Sequence, residues 1–195
     1  MRVCVFCGSS PGNDPAYGEA AAAAARAIVA TGATIVFGGG RVGLMGIVAD
    51  AALGAGGTVI GVMPRSLVER EIAHRGLHQL HVVETMHERK TRFAELADAF
   101  LALPGGAGTL EEIFEQWTWG QLGIHAKPCG FLSTKGYFDP IRAMIERMVS
   151  EGFMIRAFAD MLSFSDGADI LLAGFRSYVP PPRKWSSTVD AAVER

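Results

Sequence analysis

The chain has 195 residues, 49% of them apolar, which is enough to bury one sizeable core. Its net charge of −2 gives no electrostatic reason to expect nucleic acid or an anionic membrane as a partner, so a small-molecule ligand is the better expectation. The longest apolar stretch, Glu19 to Ala33, is Ala-rich and broken by Arg26, and no run approaches the roughly 20 strongly apolar residues of a membrane span.

In chain order, the first element is the strand RVCVF at the very start, with an apolar run too short for a secretory signal. A cytoplasmic location is therefore expected. The turn CGSSPGN leads into a helix from Pro15 to Thr31, then comes the strand TIVFG, the turn GGGRVGLMG and a helix from Leu44 to Gly54. GTVIGV and LHVVE read as the next two strands. The polar stretch between them holds His74 and His78, and with His81 and His87 these show no metal-ligand order. A helix from Met86 to Ala99, the strand AFLALP, the turn PGGAGT and a helix from Thr109 to Leu122 follow. KPCGFL, a helix from Pro140 to Glu151, DMLSFS and a helix from Asp166 to Ala173 complete the pattern.

Strands that alternate with helices, and that are apolar almost throughout, predict an α/β fold: a Rossmann-like, doubly wound parallel sheet flanked by helices. It is expected to form one domain over residues 1–177. From Tyr178 onward, YVPPPRKWSSTVDAAVER loses periodicity, so 178–195 reads as a C-terminal tail. Three cysteines are too few and odd for a disulfide framework. Cys4 and Cys7, three apart in a strand, should point to opposite faces and serve as packing residues.

In a doubly wound sheet, loops at the carboxyl ends of strands line the ligand crevice, so the three glycine-rich turns could converge on one site. Gly8 and Ser9 in the first, Gly39, Gly40, Gly43 and Met45 in and after the second, and Gly105 in the third are candidate ligand contacts. Gly38, Gly40 and Gly43 match the dinucleotide pattern, but the next strand ends in Met63 and Pro64, where a dinucleotide site wants an acid for the ribose. The same glycines could serve tight turns and close packing, or leave backbone N–H groups open to the phosphate or sugar of a mononucleotide.

LPGGAGTLEE puts two carboxylates directly after such a loop. Thr109 with Glu112 three residues later reads as a capping box, and Glu111 complements the helix dipole. A cap alone does not call for Gly105, Gly106 and Gly108, which clear the approach to the turn. Arg89, in MHERKTRFAEL, fits either a solvated helix face or a ligand contact, and Lys90 next to it points about 100° away around the helix. Phe114, Trp117 and Trp119 fit core or interface packing better than stacking on a purine.

GGGRVGLMG, then MHERK, then PGGAGTLEE with TWGQLGIHAKP following it, together resemble the Lonely Guy family of cytokinin riboside 5′-monophosphate phosphoribohydrolases, members of which were often first labelled lysine decarboxylases. The likeness spans roughly residues 2 to 175. It implies a Rossmann-like homodimer that hydrolyses the N-glycosidic bond of a nucleoside 5′-monophosphate, with no cofactor and no metal. It implies that Arg89 and Glu112 are catalytic, and that Lys90, Gly106, Ala107, Gly108, Thr109, Leu110, Glu111, Thr118 and Glu71 contact the ligand, Glu71 from a stretch that follows the family pattern loosely. Such cleavage passes through an oxocarbenium-like state that a carboxylate can stabilise, or assist by taking a proton from the attacking water. A guanidinium, always charged, suits positioning rather than proton donation. The competing readings are a nucleotide carrier without turnover and an amino-acid decarboxylase, which would need pyridoxal phosphate on an activated lysine such as Lys90, Lys127 or Lys135.

Overall fold

The computed structural model describes residues 1–70 and 72–184. Its strands are β1 (Arg2–Phe6), β2 (Thr34–Phe37), β3 (Val59–Pro64), β4 (Gln79–Val83), β5 (Ala99–Ala102), β6 (Cys129–Leu132) and β7 (Leu162–Ser165). They form one 7-stranded sheet in the spatial order β4, β3, β2, β1, β5, β6, β7, with every pairing parallel. The chain winds outward from β1 to β4, returns to the middle, and winds the other way through β5 to β7. The reversal lies between β1 and β5, where the loops that follow neighbouring strands depart to opposite faces and leave a crevice.

The helices are α1 (Pro15–Ala30), α2 (Gly43–Gly54), α3 (Arg65–Val68), α4 (Met86–Leu96), α5 (Ala107–Gln121), α6 (Asp139–Ser150), α7 (Arg156–Ala159) and α8 (Ala168–Arg176). One apolar layer packs α1, α2 and α8 on the sheet through Ala24, Ile28, Val48, Leu172 and Phe175. The other packs α4 to α7 on the opposite face through Phe93, Ile113, Trp117, Ile145 and Phe158. Strands β3, β5 and β6 are buried along their whole length, as a sheet covered on both faces requires. Cys4 lies in the second layer and Cys7 in the first, both buried with free thiols.

Helix starts follow local chemistry. Asp14 accepts from the Ala16 N–H, and Pro15 occupies the first turn of α1, where its missing N–H costs nothing. The capping-box expectation at Thr109 is overturned: α5 opens two residues earlier, with Gly106 as its cap and no side-chain cap bond. The Gly106 carbonyl accepts from both Thr109 and Leu110, so Thr109 sits inside the first turn and Glu112 is free of any capping duty. The Thr-x-x-Glu device caps α4 instead, where Thr85 Oγ1 accepts from the Glu88 N–H and Glu88 returns to the Glu84 N–H. Residues 178–184 run past the end of α5, with the Lys184 N–H bonded to the Gln121 carbonyl.

Gly43 illustrates how tightly the loops meet. Its φ is +57°, and a Cβ there would lie 2.3 Å from the carbonyl carbon of Ser9. Gly43→Ala is therefore expected to lower stability by about 2 kcal/mol or more, read as a shift of the urea midpoint at unchanged slope. An unshifted midpoint would show that the two loops part easily.

Candidate active site

The three glycine-rich loops converge at the β1/β5 reversal. They wall a cleft of about 490 Å3 lined on the polar side by Gly8, Ser9, Gly106, Ala107, Gly108, Thr109, Arg89 and Glu112. Val42, Met45, Met63, Leu67 and Ile72 form its apolar side. Backbone contacts set the geometry: the Gly8 N–H donates to the Pro104 carbonyl at 3.0 Å, and the Leu44 N–H donates to the Gly8 carbonyl at 3.0 Å. A Cβ on Gly105 would stand 2.1 Å from Thr109 Oγ1 and 2.8 Å from the Gly8 nitrogen, so packing demands that glycine. At Gly106 and Gly108 a Cβ would meet nothing within 4 Å, so neither is a packing glycine. What they leave open is the approach to α5.

Arg89 crosses from α4 to the strand ends. Its Nε donates to the Val62 carbonyl at 3.1 Å and its Nη2 to the Gly38 carbonyl at 3.2 Å, while Phe93 lies under the guanidinium at 5.2 Å. A Cβ on Gly38 would sit 2.3 Å from Nη2. The first glycine of the dinucleotide-like pattern thus makes room for Arg89, a role that spacing alone did not suggest.

Glu112 meets this cation from the other side, Oε1 standing 3.8 Å from Arg89 Nη1, with side-chain exposures of 15% and 11%. Burial pushes the Glu112 carboxyl up to about 7; Arg89 pulls against that shift, and Glu111 adds to it. A separation of 3.8 Å is too long for a strong charge-assisted hydrogen bond, which is why desolvation wins. Cys7, on the floor of the cleft, has its thiol pushed well up by burial and stays neutral.

Other candidates lie elsewhere. Lys90 is buried between Glu111 Oε1 at 2.6 Å and Glu115 Oε1 at 2.9 Å, and these bonds raise its pKa. Neither Lys90 nor Glu111 lines the cleft. Leu110 is half-buried on the α5 face toward the core. Gly39 lies beneath the loop, with its carbonyl taken by the His74 N–H and its Cα close to β3. Gly43 serves the loop contact with Ser9, and Gly105 lines a smaller cavity next door. Thr118 is exposed farther along α5, its hydroxyl donating to the Phe114 carbonyl. Glu71 falls outside the described residues. Among those described, no group of three or more His, Cys, Asp or Glu could hold a metal ion. Of the apolar wall, sequence reasoning named Met45 and missed Val42, Met63, Leu67 and Ile72. Leu67 and Ile72 belong to a segment without clear period, and α3 is too short to show one.

Folding stability should carry the mark of the buried acid. Glu112 binds its proton more tightly in the folded chain than in the unfolded one, so stability falls as pH rises from about 4.5 to about 7 and is level above. Glu112→Gln is expected to exceed the wild type at pH 8 by on the order of 2–3 kcal/mol and to lose that advantage at pH 4, as urea unfolding at both values would read. Equal stability at pH 8 would mean a solvated carboxylate.

Comparison with known proteins bears on this site. A family described as "Possible lysine decarboxylase" matches residues 45–174. A cytokinin riboside 5′-monophosphate phosphoribohydrolase of Rhodococcoides fascians is 48% identical over 176 residues, covering 90% of this chain and 89% of that protein. A probable enzyme of the same name from Oryza sativa subsp. japonica is 46% identical, covering 93% and 74%. One from Arabidopsis thaliana is 42% identical, covering 97% and 92%. Among solved structures, the molybdenum cofactor carrier protein of Chlamydomonas reinhardtii superposes with a TM-score of 0.68 over 91% of this chain and 98% of its own; at 19% identity this likeness concerns the fold alone.

Proposed function

The chain belongs to the Lonely Guy family of phosphoribohydrolases, and on that premise we propose that it hydrolyses the N-glycosidic bond of cytokinin riboside 5′-monophosphates, and AMP more slowly, to free base and ribose 5-phosphate. The observation that carries the reading is a buried, only loosely paired carboxylate, Glu112, one and a half turns inside a helix whose first N–H groups open into a cleft.

The chemistry divides along the cleft. In the reaction the bond from C1′ to the base nitrogen breaks, with its electron pair leaving on the base. The oxygen of a water molecule bonds to C1′ and releases a proton, and the base gains one. The N–H groups at the start of α5 suit the 5′-phosphate, since a helix N-terminus offers free donors and a positive dipole end. With the phosphate there, the ribose lies near Thr109 and Glu112. Glu112 in its carboxylate form stabilises positive charge on the sugar and takes the water proton, a task that its pKa of about 7 matches. Arg89, gripped by two strand-end carbonyls, holds a fixed positive charge that keeps part of the Glu112 population ionised despite burial. The wall of Val42, Met45, Met63, Leu67 and Ile72 suits an apolar N6 substituent on the base, which is why AMP ranks lower.

The lysines argue against the decarboxylase reading. A Schiff-base lysine must supply a neutral amine, whereas Lys90 is held charged by two carboxylates and Lys135 is ion-paired with Asp14. Lys127, lowered by burial, spends its amine on the Ala94 carbonyl.

The working form is a cytoplasmic homodimer. Three free buried thiols suit a reducing compartment, and no described helix is long and apolar enough to cross a membrane. Thr118 stands outside the cleft of its own chain, so any contact from it to the ligand needs a second copy.

Incubation with isopentenyladenosine 5′-monophosphate, AMP and the matching nucleosides, followed by chromatography, should release base from the monophosphates and not from the nucleosides. The acid limb of kcat/KM should rise with pH through about 7. Glu112→Gln should lower kcat by on the order of 10²–10³-fold while nucleotide still binds. Binding without any release of base by the wild type would favour the carrier reading.

A further inference from the structure

Tyr137 belongs to the loop after β6, on the far side of the third glycine loop from the cleft. Its hydroxyl donates to the Gly105 carbonyl at 2.7 Å. Its ring meets Tyr17 edge-on at 5.8 Å and Phe138 at 5.0 Å, so the hydroxyl is delivered from a fixed frame. Lys135, in the same loop, has φ +55° and pairs with Asp14, the cap of α1. The β6 loop is thereby fastened to the segments that follow both β1 and β5.

The peptide joining Gly105 to Gly106 is the wall between two spaces. On one side is the 490 Å3 cleft, on the other a cavity of about 290 Å3 lined by Tyr17, Tyr137, Pro104 and Gly105; Gly8, Ser9 and Gly106 face both. This peptide lies between two glycines: a Cβ at Gly106 would meet nothing within 4 Å, whereas Gly105 is packed against Thr109 Oγ1 and the Gly8 nitrogen. In a trans peptide the C=O and the following N–H point in opposite directions, and no peptide bond among the described residues is cis. Whatever holds the Gly105 carbonyl therefore aims the Gly106 N–H the other way. The preceding carbonyl, of Pro104, is likewise held, accepting from the Gly8 N–H. The N–H groups of Gly106, Ala107 and Gly108 find no acceptor among the described residues, which leaves three successive donors free at the start of α5.

We propose that Tyr137 is a positioning residue that sets specificity: by holding the Gly105 carbonyl it turns the Gly106 N–H into the cleft as a phosphate donor, and so favours phosphorylated over unphosphorylated nucleosides. The proposal rests on the reading of the cleft as a nucleoside-monophosphate site.

Tyr137→Phe keeps the ring packing and removes the hydroxyl alone. Calorimetric titration of wild type and variant with AMP, adenosine and inorganic phosphate reads the phosphate contact without turnover. The variant should bind AMP and phosphate about tenfold more weakly, bind adenosine as before, and melt within about 2 °C of the wild type. In turnover, KM for the monophosphate should rise about tenfold with kcat changed much less. AMP affinity left unchanged, or AMP and adenosine weakened alike, would overturn the assignment and leave Tyr137 a packing residue. A wild type that binds neither AMP nor phosphate would instead overturn the monophosphate reading. Lys135→Ala, which spares the Tyr137 hydroxyl, should leave the ratio of AMP to adenosine affinity within about twofold; a tenfold loss of that ratio would move the positioning role from Tyr137 to the loop as a whole.

Discussion

The site depends on backbone lying directly against backbone at the point where the sheet reverses its winding. Gly43 lies against the Ser9 carbonyl and Gly105 against the Gly8 nitrogen, distances that no side chain could share. Because these loops touch through main chain, their carbonyls find partners in one another and in Tyr137, while the N–H groups that begin α5 are left over. A concave surface rich in unpaired donors is a physical preference for an oxyanion, made without a single lysine in the lining.

The charged groups then sort by depth. Arg89 and Lys90 are neighbours in sequence, yet the helical period sends them to different tasks. Arg89 reaches the strand ends, where two carbonyls and an aromatic face hold it; Lys90 turns into α5 and neutralises Glu111 and Glu115. That neutralisation matters for Glu112, because two further uncompensated carboxylates nearby would raise its pKa still higher. The carboxyl stays near 7, poised between its two states at neutral pH.

This arrangement has a thermodynamic consequence. Holding Glu112 ionised above pH 7 works against folding, a strain of the kind found where function and stability compete. The cost is borne by a frame with two apolar layers and strands buried on both faces. Fastening the β6 loop to the segments that follow β1 and β5, through Lys135 and Tyr137, adds rigidity where glycine content would otherwise permit several backbone states.

Much of this was legible in the sequence. The alternation of apolar strands with helical stretches determined a doubly wound sheet, because each strand's burial and each helix's period are local patterns. The glycine turns stood out for the same reason; Arg89 and Glu112, which spacing left as a helix-face or ligand residue and as a cap, were singled out by the resemblance to the Lonely Guy family. Other features arose only on folding. The start of α5 was misplaced, since the glycines of PGGAG read as a loop up to Thr109, whereas helical backbone begins at Ala107, a strong helix former, and runs through Gly108. That Gly38 clears space for Arg89, that Lys90 is spent on two acids and that Tyr137 holds the Gly105 carbonyl all depend on partners from 21 to 51 positions away, and the desolvation of Glu112 likewise arises only on folding. Sequence periodicity reports which face a residue takes; the protonation state and orientation of a group depend on which distant atoms exclude water from it, and only the tertiary structure decides that.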